Sequence, residues 1–460
     1  MTSLIAHITD IQARLDALAS RHNVPGAALA VSQGSELMDF ATGVLNARTS
    51  LAATTDSVFQ IGSNTKLMTT ALVMQLVEAG QADLDAPVRR YVPAFQLAEP
   101  GAADLITLRH LLTHTSGIQG DYFQGFGRGD GAVARYVESL RDIDLVHQPG
   151  QLWSYCNSGF VLAGHVVEKL TGMPYHQALR ERILAPLGMR HTTVLPEEML
   201  ARRCAVGHVP GPDKAPVVPP VVIMEEAHVP AGSRTVSTAA ELATFARTCM
   251  SGGVTLSGER ILSEQSVKQM LEVQAARPPS RDVPQAQGLG WLLTDCLGVR
   301  VAGHGGGTIG QVSFLEGIPE RDLVIVLLTN AEAGQLLWRD LGGWLFETLA
   351  GVRLPRVPQP ADPAPELRLQ DYAGVYERLG VRHEVRAEDG RLVWRTSFTG
   401  PLAELHQGPD PEVALRPVDP GAFHTAEDGY ESLVTFLEFR DGRPGYLFSG
   451  RAARRTADQA

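Results

Sequence analysis

A serine and a lysine three residues apart could together form an activated nucleophile. Ser63 and Lys66 lie in "IGSNTKLMTTALVMQLVEAG", where apolar residues recur at helical spacing. Residues three apart face one side of a helix, and a helix N-terminus offers unpaired N–H groups and a positive dipole. A desolvated lysine can lose its proton and accept that of the serine. The pair predicts covalent catalysis, although S-x-x-K alone arises by chance about once in such a chain.

A second candidate segment is "LWSYCNSGF". Tyr155 and Asn157 are two apart, so they point the same way if the segment is extended. A tyrosine near Lys66 could share its proton traffic, and Asn157 could hydrogen-bond both Lys66 and a substrate amide. The alternative is a plain turn before the next helix.

A glycine-rich loop, "GDYFQGFGRGDGAV", is expected to border a pocket. Tyr122 could belong to an apolar wall there with Phe123 and Phe126, and Asp121 could bind a substrate amine. The alternative is a mobile surface loop. In "LLTHTSGIQG", His114 could also be catalytic, but a capping and turn role is favoured, with hydroxyl groups bonding the local backbone.

The stretch "VAGHGGGTIGQVSF", from Val301, has three interpretations. It resembles the oxyanion loop of lipases, it spells a G-x-G-x-x-G nucleotide fingerprint, or it places His304 on a strand beside an active site. The chain contains no G-x-S-x-G elbow, which argues against a lipase. A nucleotide fingerprint must open a helix, whereas the residues from Thr308 onward alternate as a strand. The third interpretation remains.

These segments must be positioned by a sheet with a helical region inserted between its two halves. A helix is predicted at the N-terminus, and helices also near 63–79, 158–171 and 333–350. The predicted strands are Pro25–Ser32, Leu37–Val44, Gly288–Thr294, Val299–His304, Thr308–Leu315 and Leu323–Leu328. "DLVIVLL" is typical of a strand buried on both faces. The fold class is therefore α/β (α+β) with an antiparallel sheet.

The C-terminal part of the chain changes in character. A proline-rich segment, residues 351–366, predicts a stiff linker after a first domain of residues 1–350. In residues 367–454, Asp-Gly pairs at 389–390, 428–429 and 441–442 predict hairpins. We expect a small all-β domain, a barrel, that either shapes the active-site entrance or mediates assembly.

Composition narrows the class of partner. The 460 residues are 44% hydrophobic and 20% charged, with a formal net charge of −11, which argues against nucleic acid or anionic membranes. The four cysteines show no C-x-x-C spacing and no metal motif occurs, so we expect free thiols and neither metal nor cofactor. The amphipathic start does not resemble a secretory signal and no apolar run could span a membrane, which predicts a cytoplasmic protein.

Three motifs in order carry a resemblance to a known superfamily. Ser63-x-x-Lys66, Tyr155-x-Asn157 and His304-Gly305-Gly306 resemble the motifs of the penicillin-recognising serine hydrolases. "RHLLTHTSG" is also common there. The resemblance covers about residues 10–350. The final β domain resembles the lipocalin-like appendage of some D-peptidases and of penicillin-binding-protein-type thioesterases.

The resemblance implies roles for these residues. Ser63 would form the acyl-enzyme, and Lys66 or Tyr155 would be the base that serves it. The backbone N–H groups of Ser63 and Gly307 would form the oxyanion hole. Asn157 would steady Lys66 and the acyl-chain amide.

The resemblance also implies a reaction class. Many members have lysine where His304 stands, and a mostly neutral histidine weakens the case for a strict carboxylate-bearing substrate. We therefore expect a serine hydrolase or acyltransferase for peptide amides, esters or thioesters, including carrier-bound peptidyl thioesters, with a D-residue at the acyl position. The alternatives are a family VIII-like carboxylesterase for short-chain esters and a binding module that has lost turnover.

Overall fold

A computed structural model describes residues 4–211, 213–279, 286–400, 403, 410–427 and 429–457. We refer to the described residues up to 350 as the α/β region and to those from 374 to 457 as the barrel. No helix in these ranges combines the length and the apolar character needed to cross a bilayer. The four cysteines, all of them described, are free thiols.

A long antiparallel sheet organises the α/β region. Its strands and those of two small ribbons are, in chain order, β1 (Gly26–Gln33), β2 (Glu36–Asn46), β3 (Leu51–Ala52), β4 (Phe59–Gln60), β5 (Val209–Pro210), β6 (Pro216–Val217), β7 (Val236–Ser237), β8 (Ala275–Ala276), β9 (Ala286–Gln287), β10 (Leu292–Cys296), β11 (Val299–Thr308), β12 (Gln311–Ile318) and β13 (Leu323–Thr329). Among the described residues, the sheet order is β3-β2-β1-β13-β12-β11-β10-β9-β8, and β4-β7 and β5-β6 form the ribbons. Because β1 pairs with β13, the two ends of the region meet in the sheet centre, which confirms the predicted fold class.

The centre of the sheet is covered on both faces. In β13, Leu323, Ile325 and Leu327 pack in one apolar cluster with α1 (Ile8–Arg21) and a C-terminal helix, Gly334–Ala350. The alternate residues of β13, Val324 among them, pack in the larger cluster on the opposite face. Successive side chains of a strand point to opposite faces, so burial on both sides requires an unbroken apolar run. The prediction for "DLVIVLL" is confirmed.

Helices fill the insertion between β4 and β8 and cover the sheet. The remaining helices are α2 (Thr65–Glu78), α3 (Leu108–Leu112), α4 (Ala132–Ser139), α5 (Asn157–Thr171), α6 (Tyr175–Leu179), α7 (Pro196–Met199), α8 (Ala239–Met250), α9 (Glu264–Leu271) and α10, which is the helix Gly334–Ala350. Short 3₁₀ turns span Leu4–His7, Gly62–Asn64, Val88–Arg90, Ala102–Asp104, Leu140–Asp142, Glu226–Ala231, Pro319–Arg321 and Leu369–Asp371, and a π turn spans Arg180–Leu184. Helix α2 is buried on nearly every side, so the helix that carries Lys66 is central to the core.

The position of one turn differs from the sequence-based expectation. The three glycines after His304 were expected to separate two strands, but Val299–Thr308 is one continuous strand, β11. The chain reverses instead at Ile309-Gly310, where Gly310 has φ +66°. A positive φ is easy for glycine, whereas the residues 305–307 are extended and pair with β12.

Eight strands of the described C-terminal residues close into a barrel. They are β14 (Gly374–Arg378), β15 (Val381–Glu388), β16 (Arg391–Phe398), β17 (Glu412–Pro417), β18 (Ala422–Glu427), β19 (Tyr430–Arg440), β20 (Arg443–Phe448) and β21 (Ala452–Ala457). Two-residue turns at Asp389-Gly390 and Asp441-Gly442 have positive φ at both positions, as a type I′ hairpin requires. Of the third predicted pair, Asp428 lies outside the described residues, and Gly429 has φ +84°.

The barrel interior is filled by side chains. Its buried cluster includes Tyr376, Phe423 and Phe436, whose rings meet edge to face. The outer wall packs against the α/β region, where Phe448 contacts Trp153 with a ring-centroid distance of 5.8 Å. Between the two, residues 352–368 carry no helix or strand, and the predicted boundaries of domains and linker stay a prediction.

Candidate active site

Ser63 lies at the middle of the 3₁₀ turn Gly62–Asn64, which leads directly into α2. Gly62 adopts φ +50°, a conformation that side chains rarely tolerate. The turn is held from below by the buried Asn64, whose Nδ2 donates to Ile61 O at 3.2 Å and to Ser313 Oγ at 2.8 Å. Ser63 itself is half-buried, so its hydroxyl is partly accessible and is held by a fixed backbone. We call the space in front of this hydroxyl the cleft.

Lys66 lies one helical turn on, with its side chain fully buried. Its Nζ is 3.0 Å from Ser63 Oγ, 2.8 Å from Asn157 Oδ1 and 2.7 Å from the carbonyl oxygen of Ala231. The structure therefore brings together three residues that the sequence predicts for the site, Ser63, Lys66 and Asn157.

The three contacts suit a neutral amine. A neutral lysine has two N–H groups and one lone pair, and Asn157 Oδ1 and Ala231 O are acceptors for the two N–H groups. The lone pair is then left for the hydroxyl of Ser63. Burial lowers the pKa of Lys66 well below its ordinary value, and the nearby Arg451 lowers it further. Three acceptors would also suit the three N–H groups of an ammonium ion, so burial and the nearby positive charge, rather than the contacts, favour a lysine that can accept the serine proton.

Tyr155 and Asn157 approach the cleft from the segment before α5, where Asn157 is the first helical residue. Lys66 Nζ lies 4.9 Å from the centre of the Tyr155 ring. Cys156 points the other way and caps the helix, because its Sγ accepts from the backbone N–H of Gly159 at 3.2 Å. The alternation of the extended segment thus sends Tyr155 and Asn157 towards Lys66 and the thiol into the core.

His114 supports this segment from behind. Its Nδ1 accepts the backbone N–H of Cys156 at 3.0 Å, and its ring lies 4.3 Å from that of Tyr155. The histidine is fully buried, and burial lowers its pKa well below the usual range. It contacts the backbone of the predicted site rather than Ser63, which agrees with a turn role.

Strand β11 passes along the other side of Ser63. A Cβ atom added to Gly62 would lie 2.5 Å from the backbone nitrogen of Gly307, so the two main chains are in close contact. Gly307 is exposed on the cleft side, with open space where a side chain would stand. The N–H groups of Ser63 and Gly307 thus lie on neighbouring backbones, where an oxyanion hole would need them.

The close approach of β11 depends on Gly306, which gives a testable prediction. A Cβ there would lie 2.0 Å from Ile61 O and 2.3 Å from Ser313 Oγ. Gly306→Ala must therefore push Gly307 away from Ser63. We expect kcat for an activated ester to fall about 10²- to 10³-fold, the usual effect of losing an oxyanion donor.

The matched control is Gly343→Ala in α10, where an added Cβ meets nothing within 4 Å. Thermal unfolding of both variants checks that the fold is kept. A Gly306→Ala enzyme that is folded and has an unchanged kcat would contradict the assignment of Gly307.

His304 is placed beside Tyr155 rather than in contact with Ser63. The two ring centroids are 6.0 Å apart, and His304 is 4% exposed. Its Nδ1 is directed to the carbonyl oxygen of Gly305. The side chain thus reaches the site through its proximity to Tyr155, and its catalytic role stays a prediction.

Asp121 lies close to the predicted site but is already surrounded by partners. One carboxylate oxygen accepts from Asn157 Nδ2 at 3.2 Å, and the other is 2.8 Å from Arg378 Nη1 and 2.5 Å from Arg451 Nε. Burial raises the pKa of Asp121, but the two guanidinium groups and Asn157 outweigh it, and the net shift is downward. These partners leave little of the carboxylate for the predicted substrate amine.

The glycine-rich loop borders a small cavity, and its place at the active-site pocket stays a prediction. The cavity has a volume of about 100 Å³ and lies between this loop and two turns of the barrel. It is lined by Asp121, Tyr122, Phe123, Gln124, Leu379, Gly380, Thr399 and Gly400. Phe126 is not in this lining and packs on Tyr136 instead, with a centroid distance of 5.2 Å. Because Asp121 also contacts Asn157, the cavity is one residue away from the Lys66 cluster.

Two functional candidates were missed from the sequence, and both come from the barrel. Arg378 and Arg451 reach Asp121, and the Arg451 guanidinium carbon is 5.1 Å from the centre of the Tyr155 ring. Both arginines lie in ordinary strand-end segments, "VYERLG" for Arg378 and "FSGRAARR" for Arg451, and nothing in these segments distinguishes them. Arg378 and Arg451 reach Asp121 only because of the way in which the barrel packs on the α/β region. The sequence left this packing open, since it allowed a barrel either at the active-site entrance or at an assembly interface.

Fold and site together are those of a serine hydrolase in which a lysine on a helix lies 3.0 Å from a serine hydroxyl. A family model described as "Beta-lactamase" matches residues 7–341. The chain belongs to the beta-lactamase family, within the penicillin-recognising serine hydrolases that its three motifs resemble.

The relatives agree with this assignment. Penicillin-binding protein 4 of Amycolatopsis lactamdurans is 41% identical over 371 residues, which cover 80% of this chain and 97% of that protein. A structure of SurE with D-Leu matches 98% of this chain and 100% of its own, with a TM-score of 0.78 and 26% identity. The D-amino acid amidase from Ochrobactrum anthropi SV3, complexed with L-phenylalanine amide, matches 70% of this chain and 91% of its own, with a TM-score of 0.59 and 26% identity.

Proposed function

We propose that the protein forms an acyl-enzyme on Ser63 with peptide amides, esters or thioesters whose acyl residue has the D configuration. The observation that carries the covalent step is the position of the buried Lys66 Nζ, 3.0 Å from Ser63 Oγ. The configuration is supported by the similarity to a D-amino acid amidase and to SurE, whose structure holds D-leucine.

In the proposed reaction, Ser63 Oγ attacks the substrate carbonyl carbon while its proton moves to Lys66 Nζ. The N–H groups of Ser63 and Gly307 stabilise the oxyanion. The oxyanion then collapses, the bond to the leaving group breaks, and the leaving group takes a proton through Lys66 or Tyr155. Water or an amine attacks the ester in the second half, which gives hydrolysis or aminolysis.

The cavity beside Asp121 offers a place for part of the substrate. Tyr122, Phe123 and Leu379 give it apolar walls. One of its lining residues, Asp121, accepts a hydrogen bond from Asn157, whose place in the superfamily motif is beside the acyl-chain amide. An apolar side chain near the scissile bond, including that of a carrier-bound peptidyl thioester, is the group that we place there.

The proposal is tested with matched D- and L-aminoacyl p-nitrophenyl esters and amides. We expect kcat/KM for the D-substrate to exceed that for its L-enantiomer by about tenfold or more, since a misplaced side chain costs at least about 1.4 kcal/mol of transition-state binding. Product masses from a peptidyl thioester with a free N-terminus show whether water or the amine attacks. Equal turnover of both enantiomers would contradict the proposed configuration.

A carboxylesterase for short acyl chains is the second candidate, and His304 favours it. Histidine, unlike lysine, is not a fixed cation near neutral pH and so offers less to a substrate carboxylate. Fast turnover of p-nitrophenyl butyrate without any turnover of aminoacyl or peptidyl substrates would select this function instead.

A further inference from the structure

Two arginines of the barrel converge on one carboxylate of the α/β region. Arg378 ends β14 and Arg451 directly precedes β21, and both pair with Asp121. The Asp121 side chain is 6% exposed, and those of Arg378 and Arg451 are 15% and 28% exposed. One negative and two positive charges leave an excess of one positive charge beside the cleft, where low solvent access keeps it poorly screened.

The docking of the barrel fixes where Arg451 stands. Its two chain neighbours are both tied to the segment that carries Tyr155, because Tyr155 N donates to Gly450 O at 3.3 Å and Ala452 N donates to Ser154 Oγ at 3.1 Å. The backbone position of Arg451 is therefore fixed, and its guanidinium group faces the Tyr155 ring. These two backbone hydrogen bonds thus place the cation of Arg451 beside the ring of Tyr155, which is also next to Lys66.

Among the described residues, Arg451 and Asp121 are the charged groups that shift the pKa of Lys66, the first downward and the second upward. Asp121 is separated from Lys66 by Asn157, which contacts both. The titratable groups around Lys66 are Tyr155, Cys156, His114 and His228, and burial lowers the pKa of both histidines, that of His228 to about 4. Near neutral pH these histidines are uncharged, so the balance of Arg451 against Asp121 determines the local field.

We propose that Arg451 is a positioning residue of the acylation step, through which the barrel adds a positive charge that, together with burial, favours the neutral form of Lys66 that can take the Ser63 proton. The inference rests on the proposed acyl-enzyme. An ordinary lysine is almost wholly protonated at neutral pH and would have no lone pair for the serine. A nearby cation destabilises the ammonium form, and it also makes that form a better acid for the leaving group.

The test measures the rate at which a fluorophosphonate labels Ser63 from about pH 6 to about pH 10. The probe has no carboxylate, so a role of Arg451 in binding a substrate carboxylate does not enter. Arg451→Gln should move the acid limb of the profile to higher pH, with about tenfold slower labelling near pH 7 for each unit of displacement and equal labelling at the alkaline end. Arg451→Lys keeps the charge and should keep the profile closer to that of the wild type.

A second variant changes the charge in the opposite sense. Asp121→Asn removes the negative charge and should move the acid limb to lower pH, whereas mere disruption of the interface would affect both variants alike. Arg454→Gln, at an exposed position three residues beyond Arg451, is the control and should change nothing. If Arg451→Gln fails to fold, the direction in which Asp121→Asn moves the acid limb, compared with Arg451→Lys, still tests the proposal.

The outcomes separate the two proposals. Identical profiles for all variants, or slower labelling by the same factor at every pH, would overturn the role of Arg451 and leave the acyl-enzyme intact. A wild-type protein in which Ser63 is not labelled at any pH would overturn the proposed function itself.

Discussion

Ser63→Ala is expected to lower turnover of an activated aminoacyl ester about 10⁴- to 10⁶-fold, the range found when a nucleophile is removed from a serine hydrolase. The hydroxyl accepts a hydrogen bond from Lys66 Nζ and the side chain is half-buried, so the fold should be kept. The measurement is kcat/KM together with the intact mass after exposure to a fluorophosphonate. The wild type should gain one adduct and the variant none.

Ser35→Ala is the matched control, because Ser35 is exposed in the turn between β1 and β2. It should be labelled and should turn over substrate like the wild type. An adduct that persists on the Ser63→Ala protein, with activity to match, would remove Ser63 from the reaction and with it the covalent mechanism.

Lys66→Met is expected to slow labelling of Ser63 about 10²- to 10⁴-fold, the usual contribution of a positioned base. Methionine fills similar space but has no lone pair for the serine proton, and Asn157 Oδ1 and Ala231 O lose their donor. The residual rate should also lose the acid limb that Lys66 gives to the wild type. Lys169→Met, on the exposed side of α5, is the matched control. A labelling rate equal to that of the wild type would exclude Lys66 as the base.

The same variant should change the pH dependence of stability. The pKa of Lys66 is lower in the folded chain than its ordinary value of 10.5. Between the two values the unfolded chain binds the extra proton, so the free energy of unfolding falls as pH falls from about 10.5. Denaturant unfolding at several pH values should show this slope in the wild type and a shallower one in Lys66→Met.

The sequence predicts those parts of the site whose chemistry is written in side chains at regular spacing. Ser63 and Lys66 are one helical turn apart, and Tyr155 and Asn157 are one strand period apart, so local geometry suffices to bring each pair together. The apolar run of β13 and the Asp-Gly turns of the barrel are similarly local signals. The meeting of the first and second pairs could be inferred only from the family resemblance.

The features of the site that could not be predicted depend on the path of the backbone or on how the barrel packs against the α/β region. The carbonyl oxygen of Ala231 accepts from Lys66, yet any residue type could provide a carbonyl there. The sequence-based prediction misplaced the turn after β11 because residues 305–310 contain four glycines, any of which could form a turn, and only Gly310 takes positive φ. Arg378 and Arg451 meet Asp121 across more than 250 residues of sequence, through a docked surface that no local pattern encodes.

The aromatic filling of the barrel has a consequence for how this architecture can be altered. A lipocalin-like shell with an open lumen serves as a container, and its walls must flex to admit a guest. Here Tyr376, Phe423 and Phe436 occupy the lumen, so the interior of the barrel is a packed core and its outer surface makes the contacts with the α/β region. Exchanging the barrel between relatives, with the turns around 379 and 451 kept in register, would therefore transfer the barrel side of the cavity wall and the arginine charges together, as one unit.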